Sequence, residues 1–125
     1  MNKKPKVTER GWAAHFICAD RCTFHRNTLI EYNGISIVVS SVGAMIVNPI
    51  TEKKPTTIGC DRYYETMVWF AKNDEFKDAD VEKTDGEPLD FDCPESPIPW
   101  DEINANNIHD RMVEKWIKGI KTLKQ

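Results

Sequence analysis

The dipeptide Asn33-Gly34 constrains the fold of this chain more than any other short feature, because it separates two runs of strand-forming residues in TLIEYNGISIVVS. Asn-Gly favours the two-residue type I′ turn, which needs positive φ at both central residues. The sequence therefore predicts an antiparallel hairpin at this point. The predicted register pairs Tyr32 with Ile35, Ile30 with Ile37, and Thr28 with Val39.

In that register the side chains of the hairpin divide between an apolar face and a mixed face, because successive residues of a strand point in opposite directions. The apolar face carries Ile30, Tyr32, Ile35, Ile37 and Val39. The mixed face carries Leu29, Glu31, Ser36 and Val38. This pattern is typical of an antiparallel sheet that is covered mainly on one side.

Three further segments have the composition of strands. GWAAHFIC precedes the hairpin, and TMVWFAK and FKDADVEK follow it. The charged alternation of FKDADVEK is typical of a solvent-exposed edge strand. Residues 63–72, around TMVWFAK, also fit a short helix, and NPITEKKPTT is expected to be a loop.

The C-terminal segment predicts an amphipathic helix over residues 101–125. Its apolar residues recur at helical spacing, at Ile108, Met112, Trp116, Ile117, Ile120 and Leu123. Lysines cluster near its end, where the helix dipole is negative, and Asn106 or Asn107 is the expected N-cap. We expect the helix to cover the apolar face of the sheet, which needs a second layer; a partner bound to the apolar stripe is the alternative.

Together these elements predict an α+β fold, with an antiparallel sheet of about five strands in a meander covered by the C-terminal helix. The chain has 125 residues, 40% of them hydrophobic, which suits one domain. The expected organisation is a flexible N-terminus over 1–9, the sheet over 10–83, an acidic proline-rich linker over 84–100 and the helix over 101–125.

Charge is distributed unevenly along the chain, although the formal net charge is only -3. Residues 1–60 carry eight Lys or Arg against four Asp or Glu, whereas residues 61–125 carry nine against sixteen. Within residues 74–102, named here the acidic segment, twelve carboxylates face two lysines. The acidic segment makes direct nucleic-acid binding and contact with anionic membranes unfavourable.

No stretch of the sequence is expected to cross a membrane or to direct secretion. The longest apolar run, residues 35–47, is shorter than the roughly 20 residues that a spanning helix needs. The N-terminal MNKKPKVTERGW lacks the apolar core of a signal peptide. We therefore expect a cytoplasmic protein whose four cysteines are thiols or metal ligands rather than disulfides.

The stretch HFICADRCTFH combines metal-binding residue types at close spacing. The spacing of Cys18 and Cys22 is compatible with zinc. If residues 15–25 form a hairpin, strand alternation places both cysteines on one face and His15 and His25 on the other. The four side chains then reach one metal ion only if a bulge breaks the alternation.

Three interpretations of this stretch stay open. We favour Cys18 and Cys22 as small buried apolar residues, because free cysteine is among the most buried residue types. Alternatively the two cysteines bind a structural zinc ion with Cys60 as third ligand, or with His15 or His25 in its place. In the third interpretation one cysteine beside a histidine is a nucleophile.

Several short motifs resemble those of a family of small uncharacterised proteins carried by bacteriophages and prophages. They are RGWA, HFIC, RC, NTL and RYYET, all within residues 10–81. The acidic, proline-rich linker and the C-terminal helix are not part of the resemblance. The resemblance implies a mobile-element protein, and such small products often act by binding host machinery. It implies no catalytic residue and no cofactor.

The sequence favours a non-enzymatic protein that binds a host protein in the bacterial cytoplasm. It contains no phosphate-binding loop, dinucleotide fingerprint, H-E-x-x-H or G-x-S-x-G motif. The acidic segment could dock on a basic host surface as a DNA mimic would, although solvation of a linker and an edge strand is the plainer explanation of its charges. The alternative function is a small metal- or thiol-dependent enzyme centred on His15, Cys18, Cys22 and His25.

If the zinc site exists, Cys18→Ser or Cys22→Ser should release the metal and lower the melting temperature, because the binding energy of a structural site is folding energy. Cys93→Ser is the matched control, since Cys93 lies in the predicted linker. Elemental analysis and thermal unfolding measure both effects. A Cys18→Ser protein with unchanged metal content and melting temperature would show that the stretch forms no site.

Overall fold

The computed structural model describes residues 4–11, 22–45, 63–92 and 102–123. It contains one antiparallel sheet with the strand order β1-β2-β3-β4-β5. The strands are β1 (Lys6–Glu9), β2 (Cys22–Tyr32), β3 (Ile35–Met45), β4 (Tyr64–Phe70) and β5 (Asp90–Asp92). Helix α1 (Glu102–Gly119) follows the sheet and continues as a 3-10 turn over Ile120–Thr122. In these ranges no helix combines the length and the apolar composition needed to cross a bilayer.

The central hairpin has the register that the sequence predicts. Strands β2 and β3 pair Tyr32 with Ile35, Ile30 with Ile37, and Thr28 with Val39. Asn33 and Gly34 have φ values of 51° and 80°, which are the left-handed conformations that a type I′ turn requires. Glycine adopts this conformation without steric cost, and asparagine tolerates it. The predicted α+β architecture, a meander covered by a C-terminal helix, is confirmed.

The main apolar core lies between α1 and one face of the sheet, named here the helix-side face. Ile30, Ile37, Val39 and Val68 of that face are fully buried. The apolar stripe of the helix packs on them, with Met112, Trp116, Ile117, Ile120 and Leu123 in the same cluster. Burying one such aliphatic side chain contributes roughly 1.5–3 kcal/mol. This contact is therefore the main source of free energy holding α1 on the sheet.

The opposite face of the sheet is also buried at its centre, where Val38 and Trp69 are 0% and 3% exposed. The expectation of a sheet covered mainly on one side is therefore wrong at the centre of the sheet.

Arg10 connects the turn after β4 to the sheet. Its Nε donates to Asn27 Oδ1 at 2.7 Å, and its Nη1 donates to the carbonyl oxygen of Phe76 at 2.6 Å.

The two outer strands come from segments that were not expected to be strands. Lys6–Glu9, within the N-terminus expected to be flexible, pairs with β2 as β1. Asp90–Asp92, within the predicted linker, pairs with β4 as β5. Both strands are short, and side chains anchor them: Glu9 contacts Arg26, and Asp90 accepts hydrogen bonds from the helix. Such long-range polar contacts leave no periodic pattern in a three- or four-residue segment.

The segment FKDADVEK does not form the predicted edge strand, and its only ladder contact within the described ranges is the bridge between Ala71 and Ala79. The side chain of Asp74 instead stabilises a turn at the start of this segment. Its Oδ1 accepts hydrogen bonds from the backbone amides of Phe76 and Lys77 at 3.0 and 2.8 Å. Lys77 has φ of 51°, outside the range of a strand. The edge position is taken by β5.

Other boundary predictions have mixed outcomes. Residues 64–70 form strand β4, so the alternative of a helix around TMVWFAK is wrong. Helix α1 begins at Glu102, so Asn106 and Asn107 lie inside it and do not cap it. Asn106 instead accepts a hydrogen bond from Arg26 at 3.2 Å. The predicted strand GWAAHFIC lies outside the described residues, apart from Gly11.

Gly43 sits where two aromatic side chains meet over the sheet. It lies opposite Phe24 on β2 and Tyr64 on β4, and these two rings pack edge to face with centroids 5.7 Å apart. A Cβ atom at position 43 would collide with the Tyr64 ring and come within 2.5 Å of the carbonyl oxygen of Tyr63. The sheet therefore requires glycine at this position.

Gly43→Ala should lower the free energy of unfolding by about 1–3 kcal/mol, because the ring and the backbone must both move to admit the methyl group. Ser36→Ala on the same strand is the control and should change the value by less than about 0.5 kcal/mol. Urea denaturation followed by circular dichroism measures both variants. Equal effects of the two substitutions would contradict the close packing at Gly43.

Candidate functional site

A chain of buried polar side chains joins α1 to the sheet at His109, which is 0% exposed. Its Nε2 lies 2.8 Å from Thr28 Oγ1 on β2, and its Nδ1 lies 2.5 Å from Ser41 Oγ on β3. Ser41 Oγ in turn lies 2.6 Å from Thr66 Oγ1 on β4. One imidazole ring thereby connects the helix to three strands. We call these residues, with Glu9, the His109 network.

The charge of Glu9 sets the direction of every hydrogen bond in the His109 network. Thr28 donates its hydroxyl proton to Glu9 Oε2 at 2.6 Å, because a carboxylate can only accept. The Thr28 oxygen then accepts from His109 Nε2–H. A neutral imidazole keeps Nδ1 as an acceptor, so Ser41 donates to Nδ1 and Thr66 donates to Ser41. The partners thus assign His109 to the Nε2–H tautomer.

Arg26 bridges β1, β2 and α1 beside this network. Its guanidinium forms ion pairs with Glu9 at 3.0 Å and with Asp110 at 2.8 Å. Burial raises the pKa of Glu9, but the hydrogen bonds from Arg26 and Thr28 outweigh it and lower that pKa below its ordinary value. For Arg26, burial lowers the pKa, and the bonds to both carboxylates outweigh it and raise the pKa. Both groups therefore stay charged at pH 7.

Burial also determines the protonation state of His109. It lowers the pKa of the imidazole from 6.5 to about 4, and the positive charge of Arg26 acts in the same direction. The carboxylates of Glu9 and Asp110 oppose this shift without reversing it. His109 is therefore neutral at pH 7, as the hydrogen-bond directions require.

Ser41 and His109 have the spacing of a nucleophile and its general base, but their position does not suit catalysis. Ser41 is 1% exposed and His109 is 0% exposed, so both lie enclosed between α1 and the sheet. A substrate would reach the Ser41 hydroxyl only if α1 left the sheet. What the His109 network does in this structure is fix α1 and β1 in position.

A second candidate site is a cleft of about 680 Å³ at the end of the sheet that carries the Asn33-Gly34 turn. Its walls come from β1, the hairpin, the end of β4 and the turn that follows β4. We call it the lysine cleft, because its lining includes Lys4, Lys6, Lys72, Lys77 and Lys83. A volume of roughly 300–1,000 Å³ is typical of pockets that hold small molecules.

The lysine cleft is strongly positive although the chain as a whole is negative. Of the residues in the described ranges, Glu31 is the one carboxylate in the cleft lining, and its Oε2 forms an ion pair with Lys77 Nζ at 2.6 Å. The other four lysines form no ion pair with any carboxylate that the structure describes. The cleft thus offers several ammonium groups for an anion.

Local contacts restrict two of these lysines before any ligand binds. Lys83 Nζ lies 4.3 Å from the centroid of the Phe70 ring, a cation–π contact, and its backbone amide donates to Asp80 Oδ1 at 3.2 Å. Lys77 is held by Glu31 at its ammonium group and by Asp74 at its backbone amide. A ligand would therefore find these two charges already positioned.

Several carboxylates of the acidic segment serve the fold. Asp90 accepts a hydrogen bond from Trp116 Nε1 at 2.9 Å and forms an ion pair with Lys115 at 2.6 Å. Burial raises the pKa of Asp90, but these two partners outweigh it and lower that pKa. Asp74 and Asp80 fix turns through backbone amides. Docking of the acidic segment on a basic partner stays a prediction, with fewer carboxylates available for it.

Most of the predicted metal site lies outside the described residues, including His15, Cys18 and Cys60. Cys22 begins β2, and His25 Nδ1 lies 3.0 Å from the carbonyl oxygen of Gly11. Cys93 is also outside the described ranges. Within them no three His, Cys, Asp or Glu side chains are grouped to hold a metal ion. The zinc site therefore stays a prediction.

Neither the His109 network nor the lysine cleft is among the sites that the sequence predicts. The available signal for the network was a histidine on the apolar stripe of the helix, four residues after Ala105 and three before Met112. For the cleft, the signal was that Lys77 and Lys83 are the only cations among twelve carboxylates in residues 74–102. Its other lysines are distant in sequence, so no local pattern joins them.

No protein-family model, curated protein or solved structure matches this chain. The resemblance to phage and prophage proteins therefore stays a prediction.

The lowered pKa of His109 predicts a specific pH dependence of stability. As the pH falls, the unfolded chain takes up a proton near pH 6.5, whereas the folded chain takes it up near pH 4. The free energy of unfolding should therefore decrease by roughly 3 kcal/mol between pH 6.5 and pH 4. Urea denaturation at a series of pH values measures this.

His109→Gln is the control, because glutamine retains a donor and an acceptor but does not titrate. The variant should lose most of the slope between pH 6.5 and pH 4 that the natural protein shows. Glu9 adds a separate loss of stability at lower pH, since its own pKa is lowered. Identical slopes in the two proteins over this window would contradict a buried neutral His109.

Proposed function

We propose that this chain is a non-enzymatic binding protein and that the lysine cleft is its site for an anionic group. One observation carries the proposal: among the residues that the structure describes, five lysines and a single carboxylate line one cleft, in a chain whose formal net charge is -3. Such a local reversal of charge focuses an attractive field on anions.

The lysines that line the cleft would act together on an anion, because each adds its own attraction. Two opposite unit charges 4 Å apart in water attract each other by about 1 kcal/mol, and the attraction grows where protein replaces water. Glu31 already offsets the charge of Lys77. The summed attraction of the other lysines favours binding of an anion.

The described acid–base groups support binding in preference to catalysis. Ser41 and His109 are enclosed under α1. The carboxylate in the lysine cleft, Glu31, is already paired with Lys77. Electrostatic attraction is thus the chemistry that the cleft offers most clearly.

The resemblance to phage and prophage proteins supports a ligand or partner in the bacterial host. Contact with a host protein stays a prediction, and the lysine cleft gives it a specific form. A host protein that used the cleft would have to present an anionic group to it, rather than a basic surface to the acidic segment. The alternative of a metal- or thiol-dependent enzyme rests on Cys18, Cys22 and the two histidines, and it also stays a prediction.

Sulfate should bind in the lysine cleft at low ionic strength, because its two negative charges meet several ammonium groups there. Titration followed by amide NMR shifts should move the signals of Asn33, Gly34 and Asn73, which line the cleft. Lys72→Gln should weaken binding about fivefold, the equivalent of about 1 kcal/mol for one exposed charge. Added sodium chloride should weaken it further.

Arg111→Gln is the matched control for this titration. It also removes one exposed cation, but Arg111 lies on the solvent side of α1 beside Asn107, Asp110 and Glu114. The Arg111→Gln variant should bind sulfate with the same dissociation constant as the natural protein. Equal weakening by the two substitutions would show that net charge, and not the cleft, attracts the anion.

A further inference from the structure

We infer that the ligand of the lysine cleft is an oligophosphate, a chain of two or three linked phosphates that is either free or part of a nucleotide. The inference rests on the proposed function, because it names the chemical class of the anion that the cleft takes. Charge density, the contacts that position the lysines and the surroundings of the cleft support it.

Charge density separates an oligophosphate from an acidic peptide. Lys4, Lys6, Lys72 and Lys83 bring to about 680 Å³ four charges that pair with no carboxylate of the described ranges. An extended peptide advances about 3.3 Å per residue and points alternate side chains away, so few of its carboxylates could face one cleft. A phosphate group alone carries about 1.5–2 negative charges at pH 7. Linked phosphates therefore match the cleft within its volume.

The type of cation is compatible with phosphate. Among the residues that the structure describes, the cations in the cleft lining are lysines, and a lysine is a compact point charge that commonly binds phosphate oxygens. Arginine, whose planar fork binds carboxylates and phosphates alike, stabilises the fold away from the cleft. Arg26 pairs with Glu9 and Asp110, and Arg10 donates to backbone carbonyls of the turn after β4.

The lysine cleft also has the fixed charges and neutral donors that a phosphate chain needs. The contacts of Lys83 with Phe70 and of Lys77 with Glu31 reduce the entropy lost when a ligand binds. Asn73 lines the cleft as well, and its side-chain amide can donate to oxygen. A phosphate chain offers acceptor oxygens along its whole length.

The surroundings of the lysine cleft disfavour a long polyanion. Residues 74–82, next to Lys72 and Asn73, carry five carboxylates. A nucleic-acid strand extending beyond the cleft would pass close to this stretch and be repelled. A ligand contained in the cleft avoids that repulsion. A positive cleft of this size is therefore compatible with a chain for which nucleic-acid binding is unfavourable.

Isothermal titration calorimetry on the full chain tests the inference, with inorganic triphosphate, ATP, citrate and a thymidine oligonucleotide at equal ionic strength and without divalent metal. Triphosphate and ATP should bind at least tenfold more tightly than citrate, which carries three carboxylates. Equal affinities for triphosphate and ATP would identify the phosphate chain as the recognised group. Tighter binding of ATP would identify a nucleotide.

Variants assign the binding to the cleft. Lys72→Gln and Lys83→Gln should each weaken triphosphate binding about fivefold, whereas Arg111→Gln should not. Unchanged melting temperatures would establish that the variants are folded, and Lys72, an exposed residue, keeps the test valid if Lys83→Gln unfolds.

Three results would overturn the inference: citrate binding as tightly as triphosphate, the oligonucleotide binding more tightly than triphosphate, or equal losses in all three variants. If sulfate still shifts the cleft signals in the NMR titration, the proposed function survives such a result. If no anion binds in the cleft, both the proposed function and this inference fail.

Discussion

The hydrogen bonds of His109 are the interaction on which the arrangement of helix and sheet depends. Apolar packing supplies most of the free energy, but it is non-directional and would tolerate small shifts of the helix along the sheet. The imidazole reaches Thr28 and Ser41 with its two nitrogens, and it satisfies both only in one position. A shift would leave buried donors or acceptors unpaired, at about 1–3 kcal/mol each. The His109 network thus sets the position of α1.

The same network fixes the strand that supplies part of the lysine cleft. Glu9 at the end of β1 accepts from Thr28 and from Arg26, while Lys4 and Lys6 line the cleft at the other end of this segment. Four residues of β1 pair with β2, a short ladder that gains from such an anchor. A buried polar group on the helix side therefore helps to place two cations at the distant end of the sheet.

The sequence predicted the elements that depend on neighbouring residues, and it missed those that depend on contacts between residues far apart in the chain. Asn33-Gly34 and the alternation around it predicted the register of the hairpin, since turn chemistry and side-chain period are local properties. The helical stripe through Met112 and Trp116 predicted how α1 packs. Strands β1 and β5 were missed because Glu9 and Asp90 hold them through partners that are distant in sequence. The cleft lysines were missed for the same reason, since only the fold brings Lys6 and Lys72 together.

The acidic segment shows how one composition can serve the fold and shape a site together. Asp74 and Asp80 turn the chain after β4, and those turns bring Lys77 and Lys83 to the cleft. Asp90 begins β5 at the edge of the sheet, and its carboxylate accepts a hydrogen bond from Trp116 Nε1, which connects this edge to α1. The carboxylates that dominate the composition thus position the two lysines among them. Net charge over a segment of sequence therefore predicts poorly which sign of charge a site built from that segment presents.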